Sequence, residues 1–173
     1  HMQRYGTRLE TFAKIRAKAS RHAARNPLAL FRKEVTEEDV LASPAIVPGT
    51  MTRLMACPPT CGAAAAVLVS RRFAERHGLD LKVRILAQAL TTDRPGTFDG
   101  RSALAVVGVG STREAARQVY EKAGVGPEDV DVCELHDCFT QNELVSYEAL
   151  GFCDEGRGEA FVEAGGNTYG GAI

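Results

Sequence analysis

The sequence predicts an α/β fold, and three observations carry that prediction. Apolar residues alternate with period two over residues 83–90 and 130–135, and residues 63–69 form a short run of small and β-branched residues, all reading as strands. Helical spacing with its own start and stop signals recurs over residues 7–25, 36–42, 70–77, 111–124 and 140–150. The resulting order, strand–helix–strand, a connection, then helix–strand–helix, is that of an α/β arrangement.

Taken along the chain, each element has a local reason. Phe12, Ile15 and Ala19 form an apolar stripe on the first helix, while Lys14, Lys18, Arg21 and Arg25 recur at spacings of three and four on the other side. Asn26-Pro27 ends that helix, because proline disfavours helical geometry in the residue before it. Thr36 caps a short acidic helix, and residues 43–60, punctuated by five prolines and glycines, read as loop. Residues 63–69 form the first strand, its small residues allowing close approach of a neighbour. Ser70 caps a helix to His77, stopped by Gly78; a His in that last turn complements the helix dipole. The second strand, 83–90, turns Val83, Ile85, Ala87 and Ala89 to one side. Residues 91–100 form a surface connection. Ser111 with Glu114 reads as a capping box opening a helix to Gly124. Gly108-Val109-Gly110 lacks the third glycine of a dinucleotide fingerprint.

Composition removes several function classes. Hydrophobic content of 45% and charged content of 25% are ordinary for a globular protein. No apolar run reaches membrane-span length and no signal-peptide pattern opens the chain. Five cysteines without a regular framework fit free thiols in a reducing compartment, and a cytoplasmic, bacterial setting is expected from this and from the abundance of Ala and Arg. The net charge of −1 conceals asymmetry: residues 1–35 carry nine Lys or Arg against two acids, about +7. The basic helix face is either a phosphate-attracting surface or a solvated face paired with acidic neighbours, and the second is the commoner case. Nucleic-acid binding is not expected, since there is no aromatic interleaving and no reader motif.

Chemistry concentrates in residues 130–151, V-D-V-C-E-L-H-D-C-F-T-Q-N-E-L-V-S-Y-E-A-L-G. The strand 130–135 leads into a helix for which Thr140 and Glu143 offer a capping box and Gly151 a left-handed stop. His136, Asp137 and Cys138 therefore stand at a strand-to-helix junction, where open α/β sheets keep their sites. A thiol at a helix N-terminus beside an imidazole is expected to titrate below a free thiol. The imidazole can donate to a developing oxyanion or relay a proton. The bland alternative makes Cys138 a small buried hydrophobe and His136 a turn residue. A metal site is the weaker third option, for want of a C-x-x-C pair or a second nearby His.

The run His136-Asp137-Cys138-Phe139, followed by Asn142-Glu143-Leu144 and Tyr147 to Gly151, resembles the thiolases of the sterol-carrier-protein X type. The resemblance extends through Gly165 to Gly171, Glu114 to Gly124 and Pro127 to Val130. Upstream it takes in His1-Met2, Tyr5-Gly6-Thr7, Phe12 to Ile15, His22, Asn26-Pro27, Cys57-Pro58 and the Gly62 to Ala66 run. It implies part of the layered α/β/α/β/α thiolase fold, with residues 1–60 as the loop region, 61–100 as the end of the N-terminal half and 101–173 as the start of the C-terminal half. It implies a 3-ketoacyl-coenzyme A thiolase of lipid or sterol side-chain metabolism, an acyltransferase working by thiolytic cleavage or Claisen condensation. By matching position, His136 contributes to an oxyanion hole and Cys138 is the acid/base, with Asp137 and Asn142 supporting the turn. Acyl-coenzyme A and coenzyme A are then substrates with no separate cofactor, and the complete protein is expected to be a homodimer or homotetramer.

The chain also departs from the pattern. The acyl-carrying Cys of thiolases is expected to precede residue 1, and the G-H-P motif to follow Gly170-Gly171, so residues 1–173 are expected to be an internal piece that is inactive alone. Cys61 stands where the family usually has Asp. Apolar faces made to meet missing parts should leave the isolated chain poorly soluble or partly unfolded. Two alternatives stay open: a thiolase-like steroid retro-aldolase, and a non-catalytic coenzyme-A- or lipid-binding subunit.

Overall fold

In a computed structural model, which describes residues 1–173, the chain opens with one helical turn, Met2–Tyr5 (α1), closed by Gly6 in the left-handed conformation. The long helix Leu9–Ala24 (α2) follows and provides one wall of the core: Phe12 and Ile15 of the apolar stripe are buried, Ala13 is buried beside them, and Ala19 is only partly buried. It frays at Arg25, just ahead of Asn26-Pro27. Glu37–Ala42 (α3) begins with a complete capping box, the Thr36 hydroxyl accepting from the Asp39 amide at 3.1 Å while Asp39 accepts from the Thr36 amide at 2.9 Å. Val40 carries this short helix into the core.

Residues 43–60, expected to be loop, hold a small hairpin. Ala45–Val47 (β1) and Met51–Thr52 (β2) pair antiparallel across Pro48-Gly49, with Thr50 N–H donating to Val47 C=O at 3.0 Å and Gly49 at φ +71°. Proline then glycine at the two central positions is the sequence of a type II turn. The strands are too short for periodicity to reveal them. A 3₁₀ turn, Arg53–Met55, then places Met55 in the core.

The second part is helical: Arg71–Arg76 (α4), Ala103–Val106 (α5), Val109–Ala123 (α6), Thr140–Ala149 (α7) and Gly158–Glu163 (α8). Helix α4 is capped by Ser70 accepting from the Phe73 amide at 3.2 Å. Helix α6 ends at left-handed Gly124. The core cluster joins Phe12, Ala13 and Ile15 to Val40, Met55, Leu144, Val145, Tyr147 and Val162, so α7 is packed between α2 and α8. Burying each of the large side chains contributes about 1.5–3 kcal/mol. Helices α5 and α8, four and six residues long, had no periodic signal strong enough to mark them.

Several expectations are corrected. The three anticipated strands, 63–69, 83–90 and 130–135, have no regular secondary structure and lie outside any sheet, and the only sheet is the β1–β2 hairpin. Period-two patterning marks a face that wants burial, but a strand also needs a neighbour whose N–H and C=O groups complete its ladder. No segment among residues 1–173 supplies one, and Val67, Val83, Leu90 and Val132 are left largely exposed. The chain nevertheless combines helices with a sheet, as the α/β class expects.

Two capping boxes are also replaced. Helix α6 starts at Val109 with Gly108 as its cap, so Ser111 lies inside the first turn and donates to Gly108 C=O at 2.9 Å. Helix α7 starts at Thr140 with Phe139 as its cap, and Glu143 turns away from the helix terminus. That carboxylate engages Lys18 and Tyr147 instead. The carboxylate thus makes a buried ionic contact in place of an exposed cap, which is worth about 1 kcal/mol.

Candidate active-site junction

The backbone leading into α7 is extended and then turns sharply. Phe139 has φ −142° and ψ 148°, and its carbonyl accepts from the Asn142 amide at 2.8 Å. Side chains alternate across such a backbone. His136 and Cys138 accordingly line one cavity, while Asp137 lines another. The junction is tied down twice. The Asn142 side-chain amide donates to His136 C=O at 2.7 Å, and the Cys57 amide donates to Cys138 C=O at 2.9 Å beside an antiparallel bridge between Ala56 and Phe139.

The first cavity, about 760 Å³, is mainly apolar. Met2, Phe12, Met51, Leu104, Val107 and Val145 shape it, His136 and Cys138 stand in its wall, and Gln141 and Asn142 add polar groups. Gln141 is itself anchored, donating to Thr50 C=O at 2.9 Å. Helix α7, α1, α2, the hairpin and α5 therefore all contribute, and no one of them predicts the cavity alone. Of the five cysteines, only Cys138 lines it; Cys57 and Cys61 are exposed, and Cys133 and Cys153 are partly buried. Burial pushes the Cys133 thiol up, and burial with Glu148 and Asp154 nearby pushes Cys153 up to about 12, so both favour the unreactive thiol form.

On the opposite side of the junction lies a pocket of about 710 Å³ with a mixed lining that includes Lys18, Asp137, Glu143, Tyr147 and Asn167. The Lys18 ammonium donates to the buried Glu143 carboxylate, the Tyr147 hydroxyl donates to the same carboxylate, and the Asn167 side-chain amide donates to the Tyr147 oxygen at 2.9 Å. Burial, and then the neighbouring Glu143, raise the Asp137 carboxyl to about 6. Burial and Glu143 likewise push the Tyr147 phenol well up, which keeps it a donor. Sequence reading missed this network. In sequence Lys18 reads as part of a basic face and Glu143 as part of a capping box, and the spacings of four and three among Lys14, Lys18 and Arg21 hide the fact that Lys18 points inward.

The basic face of α2 is mostly paired. Lys14 meets Glu163 at 2.7 Å, Lys18 meets Glu143, and Arg25 lies over the Tyr169 ring at 4.7 Å. Upstream of the helix, Arg8 bridges Glu159 and Glu163. Of the four residues of that face, Lys14 fits the solvated, acid-paired reading, whereas Lys18 meets its acid only by pointing inward. At the start of the chain, His1 is drawn into the fold, its ring 2.5 Å from the Thr7 hydroxyl and 2.9 Å from the Glu148 carboxylate, which also accepts from the Gly158 amide at 2.8 Å. No helix is long and apolar enough to cross a membrane.

Residues 101–173 match the family described as thiolase C-terminal domain-like. Over 172 residues, 99% of this chain, the sequence is 51% identical to sterol carrier protein 2 of Bos taurus and covers 32% of that protein. It is 37% identical over 171 residues to benzoylsuccinyl-CoA thiolase subunit BbsB of Thauera aromatica, covering 99% of this chain and 43% of the relative. The solved structure of an Ltp2-ChsH2(DUF35) aldolase superposes with a TM-score of 0.81 at 24% identity over 99% of this chain and 45% of the other, a likeness of fold. The chain thus spans about a third to under a half of the length of these proteins.

Proposed function

From the premise that this chain is thiolase-superfamily sequence, its residues 101–173 belonging to the thiolase C-terminal domain-like family, we propose that it supplies half of an acyl-transfer site for acyl-coenzyme A thioesters. The observation that carries this reading is the placement of His136 and Cys138 together in the wall of a mainly apolar cavity, at the mouth of a helix N-terminus. An apolar cavity of this size accepts an acyl chain, and the two side chains stand where its thioester end would react.

In this reading His136 donates a hydrogen bond to the thioester oxygen as negative charge develops on it. Cys138 moves the proton: during cleavage it gives one to the departing α-carbanion and regains one from the incoming thiol, and during condensation both transfers run in reverse. Cys138 is not the acyl carrier. Acyl transfer of the thiolase kind needs a second thiol in the same cavity, and no other cysteine of residues 1–173 lines it. Asn142 holds the His136 carbonyl and Asp137 faces away, so both act on the geometry of the turn. Coenzyme A is the substrate thiol, and its phosphates would be met by the cations of residues 1–35 that stay outside ion pairs, such as Arg21 and Lys33.

The test is substitution in the complete protein. Cys138→Ala and His136→Ala should each lower thiolysis of a 3-ketoacyl thioester by about 10²-fold or more with circular dichroism unchanged. Undiminished turnover in Cys138→Ala rejects the assignment. A retro-aldol reading is favoured only by the fold likeness to the aldolase, and it predicts cleavage of a β-hydroxy thioester that survives Cys138→Ala. A lipid-binding role, suggested by the sterol carrier relatives, predicts saturable binding of a fluorescent acyl chain with no turnover.

A further inference from the structure

The antiparallel bridge between Ala56 and Phe139 has a consequence for their neighbours: the next residues in each direction, Cys57 and Cys138, stand directly opposite each other. Their backbones are joined by the hydrogen bond from Cys57 N–H to Cys138 C=O, 2.9 Å long. Opposed residues of an antiparallel pair project to the same face, with Cα atoms about 4.5–5.5 Å apart. That lies within the 4.4–6.8 Å span that disulfides bridge. The extended geometry is held on both sides. Ala56 has φ −99° and ψ 146°, Phe139 φ −142° and ψ 148°, and Pro58 keeps Cys57 itself in the extended region.

The two thiols differ in access. Cys57 is exposed, whereas Cys138 is half-buried in the cavity wall. We propose that Cys57 and Cys138 form a reversible disulfide that closes the site, with Cys57 as the thiol that receives the oxidant. The oxidant is a small-molecule disulfide of the glutathione class. The Cys57 thiolate attacks one sulfur, a mixed disulfide forms on Cys57, and the first small thiol leaves. The Cys138 thiolate then attacks the Cys57 sulfur, the protein disulfide forms, and the second small thiol leaves. Two protein thiols are oxidised by two electrons, the small disulfide is reduced to two thiols, and the protons of Cys57 and Cys138 end on those thiols.

Loss of turnover on oxidation rests on the acid/base reading of Cys138; formation of the link does not. The complete protein is incubated with oxidised glutathione under native conditions, alkylated, digested without reduction and mapped by mass spectrometry. The expected product is a peptide pair joined through Cys57 and Cys138 that disappears on treatment with dithiothreitol. In Cys138→Ser, the glutathione adduct should persist on Cys57. Glutathione retained on Cys57 of the wild type with Cys138 alkylated as a free thiol overturns the proposal. So does Cys138 linked to any other cysteine. A Cys57–Cys138 link in a protein whose turnover survives Cys138→Ala supports the disulfide and rejects only the acid/base role.

Discussion

Lys18→Met isolates the contact that holds the active-site helix to its neighbour. Lys18 and Glu143 have side chains 14% and 5% exposed, and the carboxylate also accepts from the Tyr147 hydroxyl and lies beside the Asp137 carboxyl. Breaking a fully buried ion pair costs about 3–5 kcal/mol because one charge is left uncompensated. An exposed pair is worth about 0–1 kcal/mol. Lys18 retains some access to water, so the expected loss is intermediate, about 2–3 kcal/mol. The double variant Lys18→Met with Glu143→Gln removes both charges, and Gln can still accept from Tyr147. It should therefore recover to within about 1 kcal/mol of the wild type. Hydrogen exchange of the α7 amides, residues 140–149, reads this locally. At about 1.4 kcal/mol per tenfold change, the single variant should exchange roughly 30- to 150-fold faster. A change below fivefold refutes the reasoning, and so does a double variant as labile as the single one. Since α7 begins two residues after Cys138, loosening it should also lower turnover more than substrate affinity.

Three further outcomes follow from the same contacts. The Asp137 carboxyl, raised to about 6 chiefly by burial, holds its proton more tightly in the native than in the unfolded chain. Its contribution to stability therefore falls as pH rises from about 4 through 6, and Asp137→Asn should raise Tm at pH 8 but not at pH 4. The gain should be about 1 kcal/mol after allowance for partial exposure, and a lower Tm at pH 8 contradicts it. In Gly158→Ala the new methyl would lie 2.8 Å from Leu144 Cδ2 and 2.9 Å from Glu148 Oε1, both on buried side chains, so a loss of about 1–2 kcal/mol is expected; a stabilised variant in thermal melts would show that α8 can shift freely. Residues 1–173 alone expose Val67, Val83, Leu90 and Val132, and should bind an apolar dye and self-associate. A dye-silent monomer with one sharp melt argues against that.

How much of this was legible in the sequence depends on where each signal lives. Local signals were read well: the apolar stripe of α2, the Thr36 cap, the Ser70 cap and the stops at Gly124 and Gly151 depend on a few consecutive residues. Periodicity over 83–90 and 130–135 reported a demand for burial without saying whether a ladder partner exists, and no such partner lies within these residues. The thiolase resemblance was legible in the H-D-C-F run, and the structure adds that His136 and Cys138 share a cavity wall while Asp137 faces the Lys18–Glu143 network. That network joins residues 125 positions apart, and the Cys57–Cys138 pairing joins two loops. Neither leaves a local trace, because Glu143 looks like a cap and Cys57 like part of a turn until tertiary packing brings their partners to them.

The central claim is that Cys138 moves protons and does not carry the acyl group. It is tested most directly by trapping the acyl-enzyme of the complete protein with a 3-ketoacyl thioester at low pH and mapping the adduct by mass spectrometry. The account predicts an acylated cysteine outside residues 1–173, an unmodified Cys138, and an adduct that still forms in Cys138→Ser when an acyl-coenzyme A is the donor. An acyl group found on Cys138 would contradict it.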